Sequence, residues 1–201
     1  SVIVRDSLGS TNTEVFNLRY SLGYKLGKDE NNIIKSKNKN DIVVIGSPDT
    51  GIPSGIGFAE SLNLKYQQFL EKNKNRGRSF ILGDDTSRAE ECKKKFLVNP
   101  EFSIKDKIVY FIDDSIVRGN TTKRIINLLK EYGTREIHIR ISSPKIINIC
   151  KFGIDIPTKE ELIMNRMNEK GFEKENKIES LGYLELESMK EVIGNGLNVD
   201  K

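Results

Sequence analysis

The sequence predicts an α/β fold, with a mainly parallel, twisted sheet flanked by helices. Three observations carry this. Two continuous apolar runs, Asp41-Ile42-Val43-Val44-Ile45-Gly46 and Lys107 to Ile112, have the composition of strands buried on both faces. Stretches with apolar residues at helical spacing lie around and between them. That alternation is the pattern of a parallel sheet with crossover helices, and 201 residues fit one such domain.

Taken in order, Thr13 to Leu26 reads as a helix, with Val15, Leu18, Leu22 and Leu26 near helical spacing. Lys28 to Asn40 is polar and rich in Lys and Asn, which predicts a surface connection. The strand Asp41–Gly46 ends in Ser47-Pro48-Asp49-Thr50-Gly51, a dense turn signal, and Pro53 to Leu62 is the following helix. Tyr66 to Leu70 is a candidate second strand. Apolar anchors are then sparse until Phe80-Ile81-Leu82, and Arg88 to Leu97 reads as a charged helix. Lys107 to Ile112 is a buried strand closed by Asp113-Asp114. Thr121 to Tyr132 is the clearest helix: Ile125, Ile126, Leu128, Leu129 and Tyr132 make one apolar face, and Gly133 ends it. Glu136 to Ile141 follows as a strand, with His138 in a structural role. Beyond Pro157 the chain reads as helical and charged. The domain is expected over residues 1–194, with a frayed tail over 195–201.

Composition excludes several classes. No run of 18 apolar residues is present, so no membrane-spanning helix is expected. The N-terminus lacks the basic-then-apolar pattern of a secretory signal. The cysteines are Cys92 and Cys150, too few for a disulfide framework or a four-thiolate metal site. His138 is the single histidine, which excludes a multi-histidine site. A reducing, cytoplasmic setting follows as the expectation. The formal net charge is +4. With 25 Ile and 18 Asn against two Ala, the lysine content reflects an A/T-rich coding sequence. Neither a nucleic acid nor a membrane is expected as partner.

The strongest chemical signal runs from Val109 to Thr122. A buried strand ends in two adjacent carboxylates, Asp113 and Asp114; a short loop with Gly119 follows; a helix then begins at Thr121-Thr122. Ligands of open α/β sheets sit beyond the carboxyl ends of the strands. A loop entering a helix offers N–H groups and a positive dipole end to an anion. The hydroxyls of Ser115, Thr121 and Thr122 add donors for a phosphate, and paired carboxylates accept hydrogen bonds from a ribose diol. A phosphorylated ribose satisfies both halves.

This unit matches the phosphoribosylpyrophosphate (PRPP) signature of type I phosphoribosyltransferases. The wording Asp113-Asp114-Ser115-Ile116-Val117-Arg118-Gly119-Asn120-Thr121-Thr122 closely resembles the amidophosphoribosyltransferase family, which makes phosphoribosylamine from PRPP and glutamine. Further segments carry the same likeness. Ser47-Pro48-Asp49-Thr50-Gly51-Ile52-Pro53 resembles the family's pyrophosphate loop. Lys72-Asn73-Lys74-Asn75-Arg76-Gly77-Arg78-Ser79-Phe80-Ile81 resembles its flexible loop, and Arg88 matches a position just beyond. Phe152-Gly153-Ile154-Asp155, after Cys150, and Ser180-Leu181-Gly182-Tyr183-Leu184 resemble family segments and read as packing motifs, Cys150 itself as a buried core thiol. The likeness covers roughly Arg5 to Gly194.

The resemblance implies a type I phosphoribosyltransferase fold with a small hood. It implies displacement of pyrophosphate at the ribose anomeric carbon, assisted by Mg2+ held at Thr50, Asp113 and Asp114. Asp113 and Asp114 would hold the ribose diol, and the loop of Ser115, Val117, Arg118, Gly119, Asn120, Thr121 and Thr122 the 5′-phosphate. Asp49, Thr50 and Gly51 would hold the diphosphate, and Lys72, Lys74 and Arg78 would stabilise the leaving group. Ammonia is the implied acceptor. The alternatives are a purine-like base as acceptor, or a non-catalytic sensor of PRPP or nucleotide. A homo-oligomer is implied as well. The sequence departs from the family at the flexible loop, with Asn75 and Arg76 for Tyr and Val, and at Gly83 and Asp85 for Pro and Gln. It starts close to where the family's phosphoribosyltransferase half begins and offers no glutaminase nucleophile, so ammonia is expected from a separate glutaminase subunit.

Overall fold

The computed structural model describes residues 12–34, 37–73, 95–149 and 158–196. The chain runs α1 (Asn12–Ile34), β1 (Ile42–Gly46), α2 (Ile52–Leu62), β2 (Lys65–Tyr66), β3 (Leu70–Lys72), β4 (Phe96–Val98), β5 (Ile108–Asp113), α3 (Asn120–Glu131), β6 (Glu136–Ile141), α4 (Ile163–Arg166), α5 (Glu169–Asn176), β7 (Ser180–Tyr183) and α6 (Leu186–Gly196). Five strands form one sheet in the order β2-β1-β5-β6-β7, with every pairing parallel. From β1 the chain builds outward to β2 on one side and to β5, β6 and β7 on the other. The order therefore reverses between β1 and β5, and a crevice opens beyond their carboxyl ends.

Both faces of the sheet are covered, which is why β1 and β5 read as unbroken apolar runs. Val43, Ile45, Val109, Phe111, Ile139 and Leu181 face a core closed by Ile125, Ile126 and Leu129 of α3 and Phe172 of α5. Ile42, Val44, Ile108, Tyr110 and Ile112 face the other core, closed by Leu22 and Leu26 of α1 and Phe58 and Leu62 of α2. Alternate residues of one strand thus serve opposite cores.

Four expectations are corrected. The helix expected to stop at Leu26 continues to Ile34, because Ile34 is buried against the second core and its packing outweighs the poor helix propensity of the Lys/Asn-rich stretch. The α1–α2 contact brings backbone against backbone: a Cβ on Gly23 would lie 2.0 Å from the Ser54 carbonyl oxygen. The strand expected over Tyr66 to Leu70 is two short ones. Lys65–Tyr66 pairs with β1, and Leu70–Lys72 pairs antiparallel with Phe96–Val98 in a separate two-stranded sheet. The chain leaves the main sheet between them, which lets Phe69 and Leu70 enter the α3-side core. Of the helix expected over Arg88 to Leu97, residues 88–94 lie outside the described set, Lys95 is helical, and the last two residues belong to a strand, Phe96–Val98. The region beyond Pro157 is not wholly helical: β7 completes the sheet, and it is only four residues long with a glycine inside.

The other expected elements lie within a residue or two of their predicted bounds. Tyr132 caps α3 and, although 41% exposed, sets its ring edge-on to Phe69 at 5.3 Å. His138 is buried and stacks on Tyr110 at 4.6 Å. Its Nδ1 pairs with the Ser180 hydroxyl at 2.7 Å, and burial lowers its pKa. Helix α6 runs to Gly196. Cys92, Cys150, the segment Phe152–Asp155 and residues 197–201 lie outside the described residues. Among the described residues no helix is long and apolar enough to cross a membrane.

Candidate active site

The crevice at the sheet's reversal point is a cleft of about 500 Å³. The loop after β1 supplies Ser47, Pro48, Asp49 and Thr50; the end of β5 and its loop supply Asp113 through Thr122; the β3–β4 pair supplies Lys72, Lys95 and Phe96. Thirteen positions were expected at the site within the described residues, and all but Gly51 line this one cleft. Gly51 is packed beneath it, where a Cβ would meet the Ile112 carbonyl oxygen at 2.5 Å. Lys74 and Arg78 lie outside the described residues.

Asp113 is the last residue of β5 and is buried. Its Oδ1 accepts the Asp114 N–H at 2.9 Å. Burial, then the neighbouring Asp114 carboxylate, pushes its pKa up to about 7, against the pull of the Asp114 N–H and the Ser47 hydroxyl. Asp114 is met by Arg19 of α1, with 4.0 Å between Nη2 and Oδ2. Two adjacent carboxylates, one deeply buried, disfavour each other's ionisation. That repulsion, with oxygen-only donors at Asp113, Asp114 and Thr50, fits Mg2+, which favours oxygen ligands and keeps several of its waters or substrate oxygens. Among the described residues no three His, Cys, Asp or Glu side chains gather as a metal site, so the protein's share of such a shell is small.

The two loops differ in how their backbones are satisfied. In the loop after β5, Gly119 takes φ +77° and caps α3, a conformation glycine adopts without steric cost. Among the described residues, no N–H from Ser115 to Thr122 donates to a backbone carbonyl; the first such bond is Lys123 N to Gly119 O. Several donors therefore converge on the helix N-terminus. In the loop after β1 the amides are engaged internally. Thr50 N–H donates to Pro48 O and Gly51 N–H to Ser47 O, both at 3.0 Å, and Ser47 N–H donates to Ile112 O. Asp49 holds φ +67°, an uncommon conformation for a non-glycine residue, and its carboxylate pairs with Lys72 at 3.1 Å. Of the expected cradle of Asp49–Gly51 backbone amides, those of Thr50 and Gly51 are thus engaged within the loop.

Cations are distributed differently from expectation. Arg118 turns to Glu161, with both Nε and Nη2 at 2.6 Å from Oε2. Lys95, which sequence reasoning placed inside a helix and left out of the site, stands in the cleft with its Nζ 3.3 Å from the Thr121 hydroxyl. Its signal was available: Phe69-Leu70 and Phe96-Leu97 are similar apolar pairs on either side of the basic loop, which suggests a strand pair with a lysine at each root.

A parallel sheet reversing between β1 and β5, with an acidic strand end, a loop that caps α3 and a second loop across the cleft, is the architecture of the type I phosphoribosyltransferase fold. No protein-family model matches the chain. The chain is a homologue of the amidophosphoribosyltransferases. It is 38% identical over 173 residues to that of Methanocaldococcus jannaschii, covering 85% of this chain and 36% of the relative. It is 41% identical over 152 residues to that of Rattus norvegicus, covering 76% and 28%. The glutamine PRPP amidotransferase of B. subtilis, solved with ADP and GMP, matches at a TM-score of 0.75 and 33% identity, over 92% of this chain and 39% of that one. The chain spans about a third of the length of the curated relatives it matches.

Proposed function

We propose that this domain transfers the phosphoribosyl group of PRPP to ammonia, releasing pyrophosphate and forming phosphoribosylamine for purine biosynthesis. The single observation that supports the reading most is the junction of β5, loop and α3. It sets a buried carboxylate pair beside a set of uncommitted N–H donors at one end of one cleft. A ribose diol and its 5′-phosphate need those two features at that spacing.

In this reading Asp113 and Asp114 accept hydrogen bonds from the ribose hydroxyls and fix the sugar. The Ser115–Thr122 amides and the Thr121 and Thr122 hydroxyls hold the 5′-phosphate. Lys72 faces the diphosphate, and Lys74 and Arg78 extend the same charge. Mg2+ held by Asp113, Asp114 and Thr50 would neutralise diphosphate charge. The ammonia nitrogen bonds to the anomeric carbon while the bond from that carbon to the diphosphate oxygen breaks. The electron pair leaves with pyrophosphate, and the nitrogen loses a proton to solvent. No protein nucleophile takes part. Since Thr50 and Gly51 N–H groups are bonded within their own loop, that turn opens to receive the diphosphate. Lys72 then exchanges Asp49 for the substrate. A purine nucleotide's 5′-phosphate fits the same loop. A separate glutaminase is the proposed source of ammonia, and self-association the proposed assembly.

The test is pyrophosphate release from PRPP, Mg2+ and an ammonium salt. Release well above that of the Asp113→Asn/Asp114→Asn double variant supports the proposal. Release only with a purine base makes that base the acceptor, and tight PRPP binding without turnover makes the domain a sensor.

A further inference from the structure

The acidic pair needs something to hold it in place. Asp113 is buried, and its Oδ1 accepts the Asp114 N–H at 2.9 Å. Asp114 lines the cleft beside it. Two carboxylates this close repel each other, the more so where little water reaches them. An unrestrained Asp114 side chain would relieve that repulsion by turning out into solvent, away from the ribose hydroxyls it has to accept. It stays in, with 15% of its side chain exposed. Within its own loop the Ser115 hydroxyl lies 3.5 Å from its Oδ1, a long contact for an O–H donor. From outside the loop Arg19 of α1 faces its Oδ2 through Nη2 at 4.0 Å. At that distance the attraction is one of charge.

The backbone that carries Arg19 is tied to the same strand end. The Ser54 hydroxyl of α2 donates to the Arg19 carbonyl at 2.9 Å. The Ser142 hydroxyl, just past β6, donates to the Ser54 hydroxyl oxygen at 3.0 Å. The Ser142 N–H donates to the Asp113 carbonyl at 2.9 Å. Ser54 and Ser142 are buried, where leaving a hydroxyl unpaired is costly, so this chain of bonds persists. One turn along α1, Gly23 packs directly on the Ser54 carbonyl. The Arg19 backbone therefore has a fixed distance from Asp113 and Asp114. Arg19 itself does not line the cleft, so it can act on a ligand there only through Asp114.

We propose that Arg19 is a positioning residue of the ribose-diol subsite: anchored through the buried Ser54 and Ser142 hydroxyls, its charge keeps the Asp114 carboxylate turned into the cleft, ready to accept the sugar hydroxyls. Arg118, the basic residue inside the loop after β5, is bonded to Glu161 instead, so the loop's own cation is directed elsewhere. A guanidinium is weakly hydrated and always charged, which suits it to a half-buried position behind a carboxylate. The proposal rests on the phosphoribosyltransferase reading above and deepens it by naming a group that orients one of the two carboxylates.

The experiment reads selectivity for the diol. Ribose 5-phosphate and 2,3-dideoxyribose 5-phosphate carry the same phosphate and differ in the two hydroxyls; both are titrated calorimetrically with Mg2+ present. The wild type prefers the ribose compound. Arg19→Gln weakens ribose 5-phosphate about five- to tenfold, within the range for coupled neighbouring groups, and leaves the dideoxy compound within about twofold. Arg19→Lys, which keeps the charge, binds both ligands within about threefold of the wild type. In an Asp114→Asn background, Arg19→Gln changes ribose 5-phosphate binding by less than about twofold, because the carboxylate it positions is gone. The proposal is overturned if Arg19→Gln binds ribose 5-phosphate as the wild type does, weakens both ligands equally, or acts as strongly without the Asp114 carboxylate as with it. A wild-type protein that binds neither ligand, or binds both alike, overturns the phosphoribosyltransferase reading itself, a result distinct from normal wild-type selectivity with an indifferent Arg19 variant.

Discussion

Replacing Asp113 by Asn should stabilise the domain at neutral and alkaline pH while abolishing the proposed phosphoribosyl transfer. The buried Asp113 carboxyl has its pKa pushed from 3.8 up to about 7 by burial and by Asp114. Between those values the unfolded chain has released a proton that the folded chain keeps. Folded-state proton uptake exceeds that of the unfolded state, so stability falls as pH rises from about 4 to about 7 and levels off above. Three decades in proton affinity, at about 1.4 kcal/mol each, amount to roughly 4 kcal/mol. Asn has nearly the same shape and no charge to bury, and its carbonyl can still accept the Asp114 N–H. The variant should therefore match the wild type near pH 4 and exceed it by roughly 4 kcal/mol at pH 8. For a chain of this size that is on the order of 10 °C in Tm. Urea unfolding of both proteins at half-unit intervals from pH 4 to 9 reads the difference directly. Parallel pH profiles, or a variant less stable at pH 8, would refute the argument. Mg2+ with PRPP should restore stability to the wild type and not to the variant. The cost is the usual one of a functional site held in an unfavourable state by the rest of the fold.

The remaining predictions use other parts of the structure. Gly23→Ala places a methyl group 2.0 Å from the Ser54 carbonyl oxygen and should cost about 2–3 kcal/mol, read by chemical denaturation, with α1 rather than the sheet loosening in hydrogen exchange. Arg118→Ala should change stability by less than about 1 kcal/mol and ribose 5-phosphate affinity by less than about threefold, because the guanidinium serves Glu161; a larger affinity loss would return Arg118 to the phosphate site. His138 is buried with its pKa lowered from 6.5, so the unfolded state binds the proton more readily and stability is lost as pH falls below about 6.5. His138→Gln should flatten that acid limb, and an unchanged limb would assign it to other groups.

Much of this was legible in the sequence because it depends on local order. The runs Ile42–Gly46 and Ile108–Asp113 are apolar throughout because both faces of their strands are covered, and that composition is visible without coordinates. The Asp113–Thr122 unit is contiguous, so its acidic pair, its helix-capping glycine and its first-turn threonines occur in the order in which the chain uses them. Ile34 and the 180–183 strand were not legible, since their conformation is set by packing against distant elements. Ile34 is one apolar residue in a polar stretch, and β7 is four residues whose strand character comes from pairing with His138 to Ile141.

The sequence alone determined the fold class and the order of residues along the loop after β5, since periodicity and contiguous motifs encode both. Tertiary structure decided the allocation of charge. Whether Arg118 meets a phosphate or Glu161 depends on a residue 43 positions away. Whether Lys95 enters the cleft depends on a strand pair closed from its two ends. Whether Asp113 carries a proton depends on how much water the whole fold removes from it. Electrostatic energy is a function of distance and burial, and those are fixed only when the chain has closed.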